Sequence, residues 1–240
     1  MTIQLLLLFL GSFLAALISG AAGFGGSLLL LPVTTAIVGA DVAVPVLTIA
    51  QLIGNIARMS TGFKQIDWKS VGLFSITSLP LAALGAFGFA LLPKDLVTRF
   101  IGATLIILVI IKMVSHKDLP NNKETLLVGG AITGGLSGLC GSGGPIGAAV
   151  FLSLHLAPVA YIASEAATAT AMHIVKTIIY SKLTDINIYT LLIGLAMGAF
   201  MFVGTYVAKH FIENMEKGKF QKYVAILLGI VGLYMMIFGA

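Results

Sequence analysis

A chain of 240 residues that is 58% hydrophobic and 10% charged, with a mean hydropathy of +1.07, does not have the composition of a water-soluble globular domain. The formal charge of +5 comes from Lys and Arg gathered at the ends of apolar stretches, a pattern that orients membrane spans and needs no nucleic-acid partner. A single cysteine, Cys140, excludes an intrachain disulfide and any multi-cysteine metal centre.

Apolar segments are predicted at 3–19, 27–38, 42–60, 70–92 and 97–114, then at 125–137, 145–156, 158–180, 187–209 and 220–239. Residues 3–19 have the length of a signal-peptide core, but Met1-Thr2-Ile3-Gln4 carries no basic residue and the pattern recurs internally, so the segment is read as retained. A polar linker at 115–124 separates a first membrane repeat, 1–114, from a second, 125–240, and no soluble domain is expected. Trp68, beside a charged loop, suits the headgroup boundary. Gly85 and Gly88, like Gly194 and Gly198, have the spacing that permits close helix contact.

The repeat rests on a glycine-rich break. Ser19-Gly20-Ala21-Ala22-Gly23-Phe24-Gly25-Gly26 returns as Ser137-Gly138-Leu139-Cys140-Gly141-Ser142-Gly143-Gly144, an offset of 118 residues. Ile56 with Ile174, Arg58 with Lys176, Lys64 with Lys182 and Asp67 with Asp185 keep the same offset. Duplicated halves, each with an interrupted apolar segment, are the signature of a secondary carrier with its site where the repeats meet.

The segment 27–38 is too short to cross alone, since twelve helical residues rise roughly 18 Å against a hydrocarbon core of about 30 Å. Either 3–38 is one broken crossing, giving four spans per half and parallel repeats (4+4), or it is a hairpin, giving five segments per half and inverted repeats (5+5). Of the fourteen basic residues, the inverted layout places ten on the inner side and the parallel layout eight, which favours inversion. The expected fold is an all-α polytopic bundle of two repeated halves with short broken or re-entrant helices.

Unwound backbone at membrane depth survives only where it is buried in protein or faces a wet cavity. Helices are predicted to restart at Ser27 and Pro145, each offering unpaired amides and the positive end of a helix dipole. Two such ends meeting would form a nest of donors for a small oxyanion. Its expected members are Gly23, Gly25, Gly26, Ser27, Gly141, Ser142, Gly143 and Gly144. Behind it Gln51, Asn55 and Arg58 share a helix face, as do Glu165, His173 and Lys176, with Thr168 and Thr170 nearby. Asn55 and His173 are expected at the site, Glu165 and His173 as the groups that carry a coupling proton, and Arg58 and Lys176 as pathway charges, with snorkelling to the interface as the plainer alternative for the last two.

The paired motifs, each followed by an apolar half-helix, together with the Lys64-Gln65-Ile66-Asp67-Trp68 loop, resemble the TauE/SafE family of sulfite exporters and toluenesulfonate-uptake permeases over essentially the whole chain. The second motif departs from the first at Leu139-Cys140, where Gly23-Phe24 is not kept. The resemblance implies a multi-pass carrier of sulfite, sulfonates or related anions in the cytoplasmic membrane. With the residues it points to alternating access driven by an ion gradient, H+ foremost, since no ATP-binding P-loop is present. A homo-oligomer is compatible with this. A channel-like anion pathway and a cation or metal carrier built on Glu165, His173 and Asn55 are the alternatives. No cofactor, resident metal or enzymatic motif is expected.

Overall fold

Polar side chains at the ends of apolar runs decide where the helices begin. Asp67 accepts from the Ser70 amide, and Asn122 accepts from the Thr125 amide at 2.8 Å, each satisfying an orphan donor of a first turn. Pro145 and Pro158 occupy first turns, where their missing N–H costs nothing. The computed structural model describes residues 2–22, 26–93, 95–96, 99–100, 103, 106–107, 119–184 and 187–212. The described helices are α1 (Thr2–Ala22), α2 (Ser27–Val38), α3 (Ala40–Ser60), α4 (Trp68–Leu91), α5 (Lys123–Cys140), α6 (Gly144–Leu152), α7 (Pro158–Leu183) and α8 (Ile188–Ile212), with a 3-10 turn at Phe63–Gln65. Among the described residues there is no strand.

The repeat expected from sequence would match α1 with α5, α2 with α6, α3 with α7 and α4 with α8. The α6 helix ends earlier than the predicted 156. Ala157 precedes Pro158 and is held extended (ψ 147°), so the chain leaves the helix through Ser153–Ala157, with His155 at φ 55°.

Both broken segments are hairpins. A Cβ built on Gly26 would lie 3.0 Å from that of Ala15, and Leu30 reaches Gly11, so α2 runs back along α1. In the second half Gly143 abuts the Thr133 carbonyl and Val150 covers Gly129, so α6 runs back along α5. A single continuous crossing through 3–38 is therefore excluded. The supposed fifth segments at 97–114 and 220–239 lie, but for a few isolated positions of the first, outside the described residues. So do Lys94, Lys112, Lys117, Asp185, Lys217, Lys219, Lys222 and linker positions 115–118.

Packing is exchanged between the halves. The α4 helix lies along α5, and its counterpart α8 lies along α1; α3 packs on α8, and α7 on α4. Gln4, Val38, Val42, Asn187 and Tyr189 line one hollow, which puts the start of α1, the α2–α3 turn and the start of α8 at the same end. At the other end Gly62 meets Val159 and Ala163, and the Asp67 amide donates to Ser164 Oγ at 2.9 Å, which sets the α3–α4 loop against the start of α7. The α7 helix thus begins at the end where α3 finishes, and α8 begins at the end where α1 begins.

The tightest seam is α4 on α5. Gly130, Gly134 and Gly138 present bare backbone to Phe74, Ser78 and Ala82, and Gly85 approaches Gly135 and Leu139 in return. Gly194 and Gly198 play the corresponding part against Ile49 and Ile53 of α3. Apolar clusters fill the remainder, one around Leu30, Leu31, Leu47, Phe89 and Tyr180, the other around Phe74, Leu126, Val150 and Phe151. Three of the described helices have the length and hydropathy to cross a bilayer, at Asp41–Ser60, Trp68–Leu91 and Ile188–Ala208.

Gly134→Ala would drive a methyl into the Ser78 carbonyl, whereas a methyl on Gly135 meets nothing within 4 Å. Overpacking of this kind costs about 1–3 kcal/mol. The expected outcome is a lowered thermal midpoint in detergent for Gly134→Ala and an unchanged one for Gly135→Ala.

Candidate functional site

Residues that the repeat separates by more than a hundred positions meet at the tips of the two hairpins. The Ser27 hydroxyl, at the start of α2, lies 3.5 Å from that of Ser142, in the break before α6. Around this pair is a buried cavity lined by Ser27, Gln51 and Asn55 of the first half and, from the second, by Thr133, Ser137, Gly141, Gly143, Gly144, Gly147, Glu165, Thr168, Ala169, Met172 and His173. The space open to the centre of a water molecule is about 20 Å³, room for one or two waters.

Local geometry builds the donor-rich wall. Gly141 ends α5 in the left-handed region, φ 70°, which only glycine enters without strain, and so turns the chain sharply between the helices. In the turn that follows, among the described residues, the amides of Ser142, Gly143 and Gly144 have no protein acceptor, and neither does that of Ser27. They are the free first-turn donors that a broken helix leaves behind.

The polar stripe closes the other side. Gln51 and Asn55, one turn apart on α3, both reach the cavity, and Arg58 stands behind them. The Arg58 guanidinium donates to Asn55 Oδ1 and to Glu165 Oε2, both at 2.5 Å, joining α3 to α7 across the two halves. Lys176 donates to the carbonyl and hydroxyl of Ser137 at 3.1 and 2.9 Å. With Arg58 2% and Lys176 0% exposed, neither snorkels; each is held inside by acceptors its aliphatic stem can reach. No Lys or Arg is among the residues lining the cavity.

Several polar atoms here are buried without a partner: Gln51 Nε2, Thr133 Oγ1, His173 Nδ1 and Arg58 Nη1. Such groups are rare in folded proteins, because each forfeits its hydration. Three of the four belong to residues that line the cavity.

Of the residues singled out from sequence, Ser27, Asn55, Gly141, Gly143, Gly144, Glu165 and His173 line the cavity, Ser142 touches Ser27 at its edge, and Gly26 packs on Ala15. Gly23 and Gly25 lie outside the described residues. Glu165 and His173 share the cavity, but the carboxylate is engaged by Arg58, so they form no hydrogen-bonded pair. Thr170 donates to the Ala166 carbonyl and is not part of the lining. Gln51, Thr133, Ser137, Gly147 and Thr168 also line it. Thr133 lies one turn before Ser137 and two before Gly141, so extending the motif backward along α5 would have found it. Among the described residues no three His, Cys, Asp or Glu side chains converge.

A family model described as Sulfite exporter TauE/SafE matches residues 8–235. No curated protein and no solved structure matches the chain.

Removing one member of a buried ion pair strands the other, at a cost of about 3–5 kcal/mol. Arg58→Gln is therefore expected to lower the unfolding midpoint in detergent sharply, and Arg58→Gln combined with Glu165→Gln to recover most of the loss.

Proposed function

The chain belongs to the TauE/SafE sulfite exporter family of membrane transporters, and from that membership together with the cavity we propose that it carries a small oxyanion, sulfite or an organosulfonate. The observation that carries this reading is the meeting of Ser27 and Ser142, one from each half, beside main-chain amides that have no acceptor among the described residues. A compact anion with three oxygens can accept from both hydroxyls and several amides together, while the helix dipoles favour its charge. With no Lys or Arg in the lining the passenger is held by dipoles and released again.

Alternating access is the mechanism this arrangement supports. Polar groups from both repeats wall the cavity, so tilting one half against the other exposes it to one side at a time. The bundle is read as inverted repeats of five segments each in the cytoplasmic membrane; the opposed helix directions and the two hairpins support this. One or both of Glu165 and His173 are read as the group through which a proton gradient drives the cycle. The family is one of transporters, and the reading assigns no enzymatic step.

Screening the purified protein for thermal stabilisation by sulfite, sulfate, thiosulfate, sulfonates and carboxylates tests the site, because a ligand of the folded state raises stability with its saturation. Sulfite or a sulfonate should stabilise most, and Ser27→Ala or Ser142→Ala should each weaken binding about fivefold, the worth of one hydrogen bond. In proteoliposomes, sulfite trapped inside should accelerate uptake of labelled sulfite; its failure to do so would favour an open channel.

The fold reading has its own test. In a Cys140→Ala background, Lys64→Cys in the 3-10 turn after α3 and Lys182→Cys in the last turn of α7 place thiols at exposed positions of the two halves. Inverted repeats require an impermeant reagent to label them from opposite sides of the membrane, and parallel repeats from the same side.

A further inference from the structure

Two negative charges compete for one guanidinium in this cavity. Glu165 lines it, is 3% exposed, and holds Arg58, which in turn keeps Asn55 in place. Arg58 does not itself line the cavity, and its second terminal nitrogen, Nη1, is buried with no partner. In this state the pair is neutral, and the carboxylate presents acceptor oxygens to a space whose other contributors are mostly donors. An anion entering would sit beside Glu165 with little water between them, and charge repulsion at such distances is severe in a low-dielectric interior.

We infer that Glu165 takes up one proton for each anion bound, so that passenger and carboxylate replace one another as the counter-charge of Arg58. This rests on the anion-site reading above and specifies how the site is coupled. The balance is simple: ionised Glu165, one proton and one anion give neutral Glu165 beside the bound anion, with total charge at the site conserved. Protonation also converts an acceptor into an O–H donor, so the same event removes the repulsion and adds a hydrogen bond. An uncompensated Arg58 would be as costly as any stranded buried charge, and that cost ties the two events together. Anion and proton therefore travel in the same direction.

Other ionisable groups near Glu165 are few. Arg58 approaches it from α3, and Tyr161, His173 and Lys176 share its helix. The α3–α4 turn and the start of α4, which meet α7 at Ser164, carry Lys64, Asp67 and Lys69, while α2, α6, α4 from Ser70 onward and α5 from Thr125 to Leu139 carry no titratable side chain. His173 is the one other candidate for the proton in the lining, and it makes no contact that Arg58 could relinquish.

The test is calorimetric titration of the detergent-solubilised full chain with methanesulfonate, and in parallel with sulfite, in buffers of different ionisation enthalpy. Methanesulfonate is the anion of a strong acid and takes up no proton itself. Wild type should absorb about one proton per methanesulfonate bound. Its affinity should fall about tenfold per pH unit wherever Glu165 is ionised in the free protein, as linkage requires for one proton. Glu165→Gln should bind without proton uptake and independently of pH, while His173→Gln, whatever its affinity, should still take up about one proton per methanesulfonate and lose affinity as pH rises. Binding by wild type with no proton uptake, or loss of uptake in His173→Gln alone, overturns this inference and leaves the anion site standing. Absence of binding by both anions overturns the anion site and the inference with it. Should Glu165→Gln not fold, the wild-type proton count and the His173→Gln titration decide the matter.

Discussion

In hydrocarbon, a main-chain N–H or C=O without a partner has no water to turn to, and this constraint governs where the chain can depart from a helix. Its departures at Gly26 and at 141–143 are tolerated because each is walled in by protein. Gly26 rests on Ala15, Gly143 on the Thr133 carbonyl, and the polar faces of α3 and α7 stand opposite. The hairpins, the glycine-lined seams and the buried ion pair all follow from the need to bring two interrupted segments together and shield them from lipid. Donors that protein leaves unpaired are thereby gathered at one place between the halves.

The two halves use the same outline with different chemistry. Arg58 and Lys176 occupy equivalent positions, yet Arg58 reaches across to Glu165 while Lys176 turns to Ser137 in its own half. Asn55 and His173 are likewise equivalent, and both line the cavity. The seams differ as well. Where α4 meets α5, successive glycines bring backbone against backbone; where α1 meets α8, Gly204 approaches Phe13 and a stacked Phe9–Phe200 pair fills the space. Among the described residues the site holds one ion pair, Arg58 with Glu165, and the matching Lys176 has no carboxylate partner there.

Much of this was legible in the chain. The helix restarts at Ser27 and near Pro145 fell where glycine yields to apolar sequence, in two motifs 118 residues apart. The one-turn spacing of Gln51, Asn55 and Arg58 gave the polar face. Sequence left open whether 3–38 turns back or continues, because periodicity carries no direction; contacts of Gly26 with Ala15 and Leu30 with Gly11 decide it. The partner of Arg58 was hidden too, since Glu165 is 107 residues away and a single chain does not advertise its long-range pairs. The early end of α6 depends on the backbone of Ala157 ahead of Pro158, a local effect outweighed in the reading by apolar residues that continue to 156.

At the second hairpin, α7 grips the last turn of α5 twice, through Lys176 on Ser137 and through the Tyr180 hydroxyl on the Gly138 carbonyl at 2.6 Å. In the first half the position matching Tyr180 is Gly62, which has no side chain to offer, and the residue matching Lys176 is occupied elsewhere. One hairpin tip is thus fastened to its neighbouring helix, and its twin lacks those two fasteners. The two hairpins are therefore anchored unequally: α5–α6 is tied to α7 by a lysine and a tyrosine, and the matching positions beside α1–α2 supply neither tie.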